Sequence, residues 1–142
     1  MAFRVIKLLE YETIADFPLV GVTGLQYKDR STLLQYDYVN DVYVPNFEEF
    51  SEDITLTTNN NWHVITMPVN VHYRNVTILM LNRAGNAKDN GFRSIGSIQD
   101  RQFNVPSSGL FAIDVKVDAN NQVEAYSSNR GQMNFTLLTA RI

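Results

Sequence analysis

The chain of 142 residues contains no cysteine, only two histidines and a single tryptophan. Without cysteine there is no disulfide scaffold, no thiolate zinc site and no cysteine nucleophile, and the redox compartment stays open. Charge is sparse as well: 19% of residues are charged, and 12 Lys and Arg against 15 Asp and Glu give a formal net charge of -3. No basic stripe suited to a phosphate backbone is present, so nucleic acid is not an expected partner. The longest apolar runs cover about four or five residues. A membrane-crossing helix needs roughly 20, so no membrane insertion is expected. The stretch MAFRVIKLLEYETIADF carries Arg4 and Lys7, but Glu10 and Glu12 interrupt its apolar part. It does not read as a signal peptide.

What is present is 44% hydrophobic and 11% aromatic residues, a content that fits one ordinary domain or two very small ones. From Asp53 onward, short β-branched and aromatic runs alternate with Asn, Gly, Ser and Pro, the pattern of consecutive strands and turns. Strands are expected at Asp53–Thr58, Trp62–Met67, Val76–Asn82, Phe92–Ser97, Arg101–Val105, Leu110–Val117, Val123–Ser127 and Met133–Ile142. Asn59–Asn61 and Asn120–Asn121 read as hairpin turns, because Asn tolerates the left-handed region. In Leu110–Val117, Phe111, Ile113, Val115 and Val117 take one face and Asp114 and Lys116 the other, so one face is buried and one wet. Val76–Leu81 is nearly continuous in apolar residues and is expected in the centre of a sheet, covered on both sides.

The first fifty residues differ. Phe3–Leu9 fits a strand or a helix start equally, and Thr13–Pro18 reads as a helical turn stopped by proline. Leu25–Lys28, Leu33–Tyr38 and Val42–Pro45 form a meander of three short strands, rich in tyrosine and too small to bury a core of its own. The acidic stretch Asn46–Glu52 lacks strand alternation and reads as the joint between a module at 1–50 and a sandwich at 51–142.

Chemistry-bearing patterns are few. His63 and His72 lie among hydrophobic neighbours and read as structural, and GSIQD at Gly96–Asp100 does not match a Gly-x-Ser-x-Gly nucleophile elbow. Asp114 and Asp118 share a strand but no cleft, which disfavours paired-carboxylate hydrolysis. Asp118–Glu124 alternates oxygen donors yet lacks the central glycine and twelfth-position glutamate of a calcium loop, so a hairpin is the preferred reading. Gly21–Gly24 lacks the lysine-serine ending of a phosphate loop. The sequons at Asn75 and Asn134 fall on expected strands. No catalytic residue, metal site or cofactor is assigned, and the chain is not expected to be an enzyme. Trp62 and Tyr73 are the candidates for stacking on a sugar.

Two stretches carry a resemblance. FPLVGVTGLQYKDRSTLLQYDYVNDVYVPN, through Phe17, Pro18, Gly21, Gly24, Tyr27, Asp29, Thr32, Tyr36, Tyr43 and Val44, resembles a small module of bacteriophage tail and fibre proteins. The tryptophan usual after the central tyrosine is absent, with Tyr38 nearby. The stretch from NNNWHVITMPVNVHYRNVTILMLNRAG through GFRSIGSIQDRQ to FTLLTARI is similar to the β-sandwich head domains of phage fibres and spikes. The resemblance implies an all-β protein, a jelly-roll-like β-sandwich behind a small N-terminal β-meander module, located on the virion after synthesis in the host cytoplasm. It further implies a homotrimer that contacts capsid or tail proteins and a host-surface glycan or protein. Phe3, Val5, Leu8, Leu9, Tyr36, Tyr38 and Tyr43 are then the anchoring and oligomerisation candidates. The loop from Arg83 to Asn90, long and polar, is the candidate contact surface, through Arg83, Asn86, Lys88, Asp89 and Asn90. The alternatives are a monomeric carbohydrate-binding module using Trp62 and Tyr73, or a capsid decoration protein.

Overall fold

A computed structural model describes residues 7–142 and is all-β, with two short 3-10 turns. The chain divides into two compact units, one ending at Glu48 and one running from Glu49 to Ile142.

The first unit is a four-stranded sheet in the order β1 (Leu8–Tyr11), β2 (Gln26–Asp29), β3 (Gln35–Val39), β4 (Val42–Pro45). Strands β2, β3 and β4 form the meander, and β1 pairs with β2 in parallel. A parallel neighbour needs a crossover of about a dozen residues or more, and residues 12–25 supply it, including a 3-10 turn at Ile14–Asp16. The crossover delivers Phe17 onto Tyr27 and Tyr36, and these with Tyr38 form a buried cluster that Leu9, Tyr11, Leu25, Leu34 and Tyr43 complete. The meander, expected to be too small to bury a core of its own, is completed by Phe17 of the crossover and Leu9 and Tyr11 of β1. Six aromatic rings supply the volume that aliphatic side chains of so short a segment would lack.

Asp29 closes this core at the β2–β3 turn. Its Oδ1 accepts from the Ser31 amide (2.8 Å), the Ser31 hydroxyl (2.5 Å) and the Thr32 amide (3.2 Å), and its Oδ2 accepts from the Ile14 amide (3.1 Å). These bonds favour the ionised form, the Ser31 hydroxyl most of all, and hold the carboxyl below the usual aspartate range despite its burial. A group with a depressed folded pKa stabilises the fold above its unfolded value, about 3.9, and loses that contribution as pH falls through the folded value. The first unit is thus expected to loosen on acidification below about pH 4. Asp29→Asn should flatten this dependence, which a pH series of amide exchange rates over residues 26–36 would measure.

The second unit has eight strands. β5 (Phe47–Ile54), β7 (Asn75–Asn82), β10 (Leu110–Lys116) and β12 (Met133–Arg141) form one sheet, ordered β10-β7-β12-β5. β6 (His63–Thr66), β8 (Lys88–Ser94), β9 (Phe103–Val105) and β11 (Gln122–Ser127) form the other, ordered β6-β11-β8-β9. Every successive pair except β8–β9 passes from one sheet to the other, which is the jelly-roll winding. Alternation supplies the filling: Val76, Ile78 and Met80 of β7, Phe135 and Leu137 of β12, Phe92 of β8, and Val123 and Ala125 of β11 are buried. Phe92 and Phe135 meet across the sandwich edge-to-face at 5.5 Å.

Three expectations change here. The supposed joint Asn46–Glu52 lies mostly in β5, and the strand expected at Asp53–Thr58 ends at Ile54. An edge strand with solvent on its outer side carries acids freely, so alternation is not required of it. β7 is central but covered on one face only, since Thr77, Leu79 and Leu81 are half-buried. Finally, β8 begins at Lys88, inside the stretch that reads as a loop, because Lys88, Asp89 and Asn90 pair with Val105, Asn104 and Phe103 of β9.

Candidate functional site

The jelly-roll winding gathers its connections at two ends of the second unit. At one end the connections 55–62, 83–87, 106–109 and 128–132 are bound to one another. The Arg83 amide donates to Gln132 O (2.9 Å) and its guanidinium to Gly131 O (2.9 Å). The Ser107 hydroxyl donates to Ala84 O (2.7 Å), and the Arg130 amide to Asn59 Oδ1 (2.8 Å). Within the connection 83–87, Asn82 Nδ2 reaches Asn86 O and Val105 O, both at 2.9 Å, while its Oδ1 takes the Ala84 amide. This end is a tied polar platform of Asn, Ser and Arg side chains.

Of the five contact candidates, Arg83 and Asn86 are exposed on this platform. Lys88 and Asp89 sit half-buried on β8, where Asp89 Oδ1 accepts from Asn104 Nδ2 (2.9 Å). Asn90 is 0% exposed, its Nδ2 donating to Lys88 O (3.1 Å), so it is an interior residue and leaves the candidate surface. A β-strand sends alternate side chains inward, and Asn90 shares that inward face with Phe92.

At the opposite end lies the connection 95–102, with Ile98 97% exposed. Its base is fastened to the outer face of β6, β8 and β11. The Trp62 indole N–H donates to Asp100 Oδ1, and the Arg93 guanidinium lies 4.1 Å over the Trp62 ring. Arg93 also holds Glu124 Oε2 (2.5 Å) and Gln99 O (2.6 Å). Gly91 lies beneath the indole, where a Cβ would stand 2.8 Å from Trp62 Cη2. Trp62 is therefore a clamp for this loop, with one ring face already occupied by Arg93. The loop is hidden in the sequence because Phe92–Ser97 reads as strand, whereas β8 ends at Ser94 and Gly96 adopts a positive φ of 79°. Tyr73, the second stacking candidate, is 0% exposed and offers no surface to a sugar.

In the first unit the anchoring candidates separate. Tyr36 and Tyr38 are buried in the aromatic core, Tyr43 is half-buried with its hydroxyl donating to Pro18 O (2.6 Å), and Leu9 packs against the same cluster. Burial pushes the Tyr36 and Tyr43 phenols up, with the Asp29 charge adding to the rise at Tyr36. These residues build the module and do not present a docking surface. Leu8 is partly exposed, and Phe3 and Val5 lie outside the described residues. Among the described residues, the exposed apolar side chains of this unit besides Leu8 are Ile14, Leu19, Val20 and Val22 of the crossover, Leu33 in the β2–β3 turn and Val42 at the start of β4. The signal of Leu19, Val20 and Val22 in the sequence is PLVGV, an apolar run with no alternation between turn residues.

His63 and the carboxylates Asp114 and Asp118 are held in local hydrogen bonds. His63 Nε2 accepts from the Thr57 amide (3.2 Å), so Nδ1 carries the ring proton toward Thr58 Oγ1 (2.9 Å) and Asn61 O (3.1 Å), closing the β5–β6 connection. Asp118 Oδ1 accepts from the Asn120 and Gln122 amides at 2.9 and 2.8 Å, fixing a hairpin with Asn121 at a φ of 58°. Asp114 is held by Thr77 Oγ1 and lies 3.6 Å from Arg141. Among the described residues no group of three or more His, Asp or Glu side chains is placed to hold a metal ion. No family model, curated protein or solved structure matches the chain.

Proposed function

We propose that this protein is a non-enzymatic structural component of a bacteriophage virion, a short fibre or spike appendage assembled as a homotrimer. The N-terminal module seats the chain on capsid or tail proteins, and the jelly-roll unit presents its loop ends to a glycan or protein of the host surface. The observation that carries this reading is what the fibre-module residues do. Phe17, Tyr27, Tyr36 and Val44 are buried, the Pro18 carbonyl receives Tyr43, Asp29 and Thr32 make the turn, and Gly24 takes a positive φ of 93°. The residues that resemble the fibre module are thus the ones that specify this small fold, and they stand before a jelly roll as in the fibre and spike proteins the sequence resembles.

In this reading the attachment surface is Leu8 with Leu19, Val20 and Val22, and the contact surface is the tied platform around Arg83, Asn86 and Arg130. A monomeric sugar-binding module built on Trp62 and Tyr73 is disfavoured, because Tyr73 is interior and Arg93 covers Trp62. The test is the mass in solution by light scattering after size exclusion, over several dilutions, paired with peptide mass spectrometry of purified particles. About three times the 16.2 kDa chain mass, stable to dilution, and presence in particles are expected. One chain mass together with absence from particles would sink the reading.

A further inference from the structure

The geometry points to a peptide-binding edge on the second unit: the groove between β5 and β6 takes an extended basic segment of a partner chain, which adds to β6 as a fifth strand of that sheet. β5 closes one sheet and β6 the other, both on the same side of the sandwich. Between them runs an open groove of about 440 Å³, lined among others by Glu52, Asp53, Thr55, Thr57, Val64 and Thr66. That volume lies in the range of ordinary ligand sites.

Three observations select the occupant. First, β6 is paired on one side only, through His63–Thr66 against Ala125–Gln122 of β11. Its other side carries main-chain N–H and C=O groups that a further strand would satisfy. Second, β6, though short, has none of the charged or proline residues that often protect an edge. His63-Val64-Ile65-Thr66 contains no Lys, Arg, Asp, Glu or Pro, and Val64 is 52% exposed. Third, the facing wall is acidic. Glu52 and Asp53 are exposed, no Lys or Arg lines the groove, and neither acid makes an ion pair among the described residues.

A strand laid on β6 turns alternate side chains toward β5, and lysine or arginine at those positions meets Glu52, which shares its strand face with buried Ile54, while Asp53 on the other face of β5 adds to the negative field at this edge. Val64 and Thr66 give the intervening side chains an apolar and hydroxylic surface. A second copy using the same edge is disfavoured, because it would bring Glu52 and Asp53 against their own counterparts. The inference does not depend on the virion reading, since it concerns the edge alone.

The probe is a capped synthetic heptapeptide of alternating lysine and valine, titrated into the isotopically labelled full chain and followed by NMR. Saturable shifts confined to residues 52–57 and 63–66, weakening with added salt, are expected. The Glu52→Lys/Asp53→Lys variant should bind at least about tenfold more weakly. On the wild-type chain, a peptide N-methylated at alternate positions should lose binding, which keeps the test decisive even where the double variant folds poorly. No saturation, equal binding of a glutamate-valine peptide, or indifference to N-methylation would overturn the proposal. So would occupation of the groove by cellotetraose in place of the lysine-valine peptide, which would make it a glycan cleft.

Discussion

Gly21→Val is expected to unfold the first unit while the second keeps its near-ultraviolet signature and its amide protection. A Cβ at Gly21 would stand 2.5 Å from Tyr38 Cγ, 2.6 Å from Cδ2 and 2.8 Å from Tyr38 Cβ, closer than real atoms approach. Relief requires Tyr38 to move, and its position is determined from several sides. Its ring packs on Tyr43 at 4.8 Å, Tyr43 packs on Phe17 and Tyr27 at 4.9 and 5.1 Å, and the Tyr43 hydroxyl is bound to Pro18 O. Displacing one ring therefore displaces the core. Overpacking a well-filled interior costs typically about 1–3 kcal/mol and occasionally more. A unit of this size buries too little surface to hold a large reserve. Gly21→Ala adds the same Cβ with no branches and should lie between wild type and Gly21→Val. Amide protection over β2 and β3 is the measurement, and unchanged protection in the valine variant would show that Tyr38 is not fixed as described.

The sequence announced the second unit far better than the surfaces of either. Strands β11 and β12 are legible because each has one wet face, so polar and apolar residues alternate down the chain, whereas β10 follows the expected pattern only at Val115, Phe111 of its expected inner face being 41% exposed and Ile113 half-buried. β5 was hidden for the reverse reason. Its Glu48, Glu49, Glu52 and Asp53 are exposed at a sheet edge, and no buried face imposes a period until Ile54. The start of β8 was hidden because Lys-Asp-Asn has poor strand propensity, and only pairing with β9, fifteen or so residues on, overrides it.

The same asymmetry governs the sites. Tyrosine in a short meander is ambiguous, because a ring suits a docking surface and an aromatic core equally. What decides is the crossover, which brings Phe17 between Tyr27 and Tyr36, a contact between segments with no local signature. The platform of tied loops was equally invisible, since the bonds from Arg83 to Gly131 and from Arg130 to Asn59 join positions about 50 and 70 residues apart. Asp29 was the exception. Asp-x-x-Thr between two strand-like runs is a turn pattern with its own mechanism, and the carboxylate does accept the Thr32 amide.

Phe135→Ala is expected to be the most damaging single truncation in the second unit. Phe135 is 3% exposed on β12, opposite Met80 of β7, and its ring meets Phe92 of the other sheet edge-to-face. It therefore joins the two layers where neither sheet's own hydrogen bonds can. Removing a buried phenyl typically costs about 3–5 kcal/mol, the lost transfer energy plus the cavity left behind. For a domain of this size each kcal/mol lowers the melting temperature by roughly 4–8 °C, so a fall of the order of 12 °C or more is expected. Phe135→Leu keeps most of the volume and loses the ring contact, which should cost about 1.5 kcal/mol or less plus the aromatic pair term of about 0.5–1.5 kcal/mol. The comparison that isolates the sandwich contact is a double-mutant cycle with Phe92→Leu, read by thermal unfolding. A coupling near zero would mean that the two rings fill space independently, and that the sheets are held by the aliphatic layers of β7 and β11 alone. A coupling of about 0.5–1.5 kcal/mol would locate part of the inter-sheet attraction in this one aromatic pair.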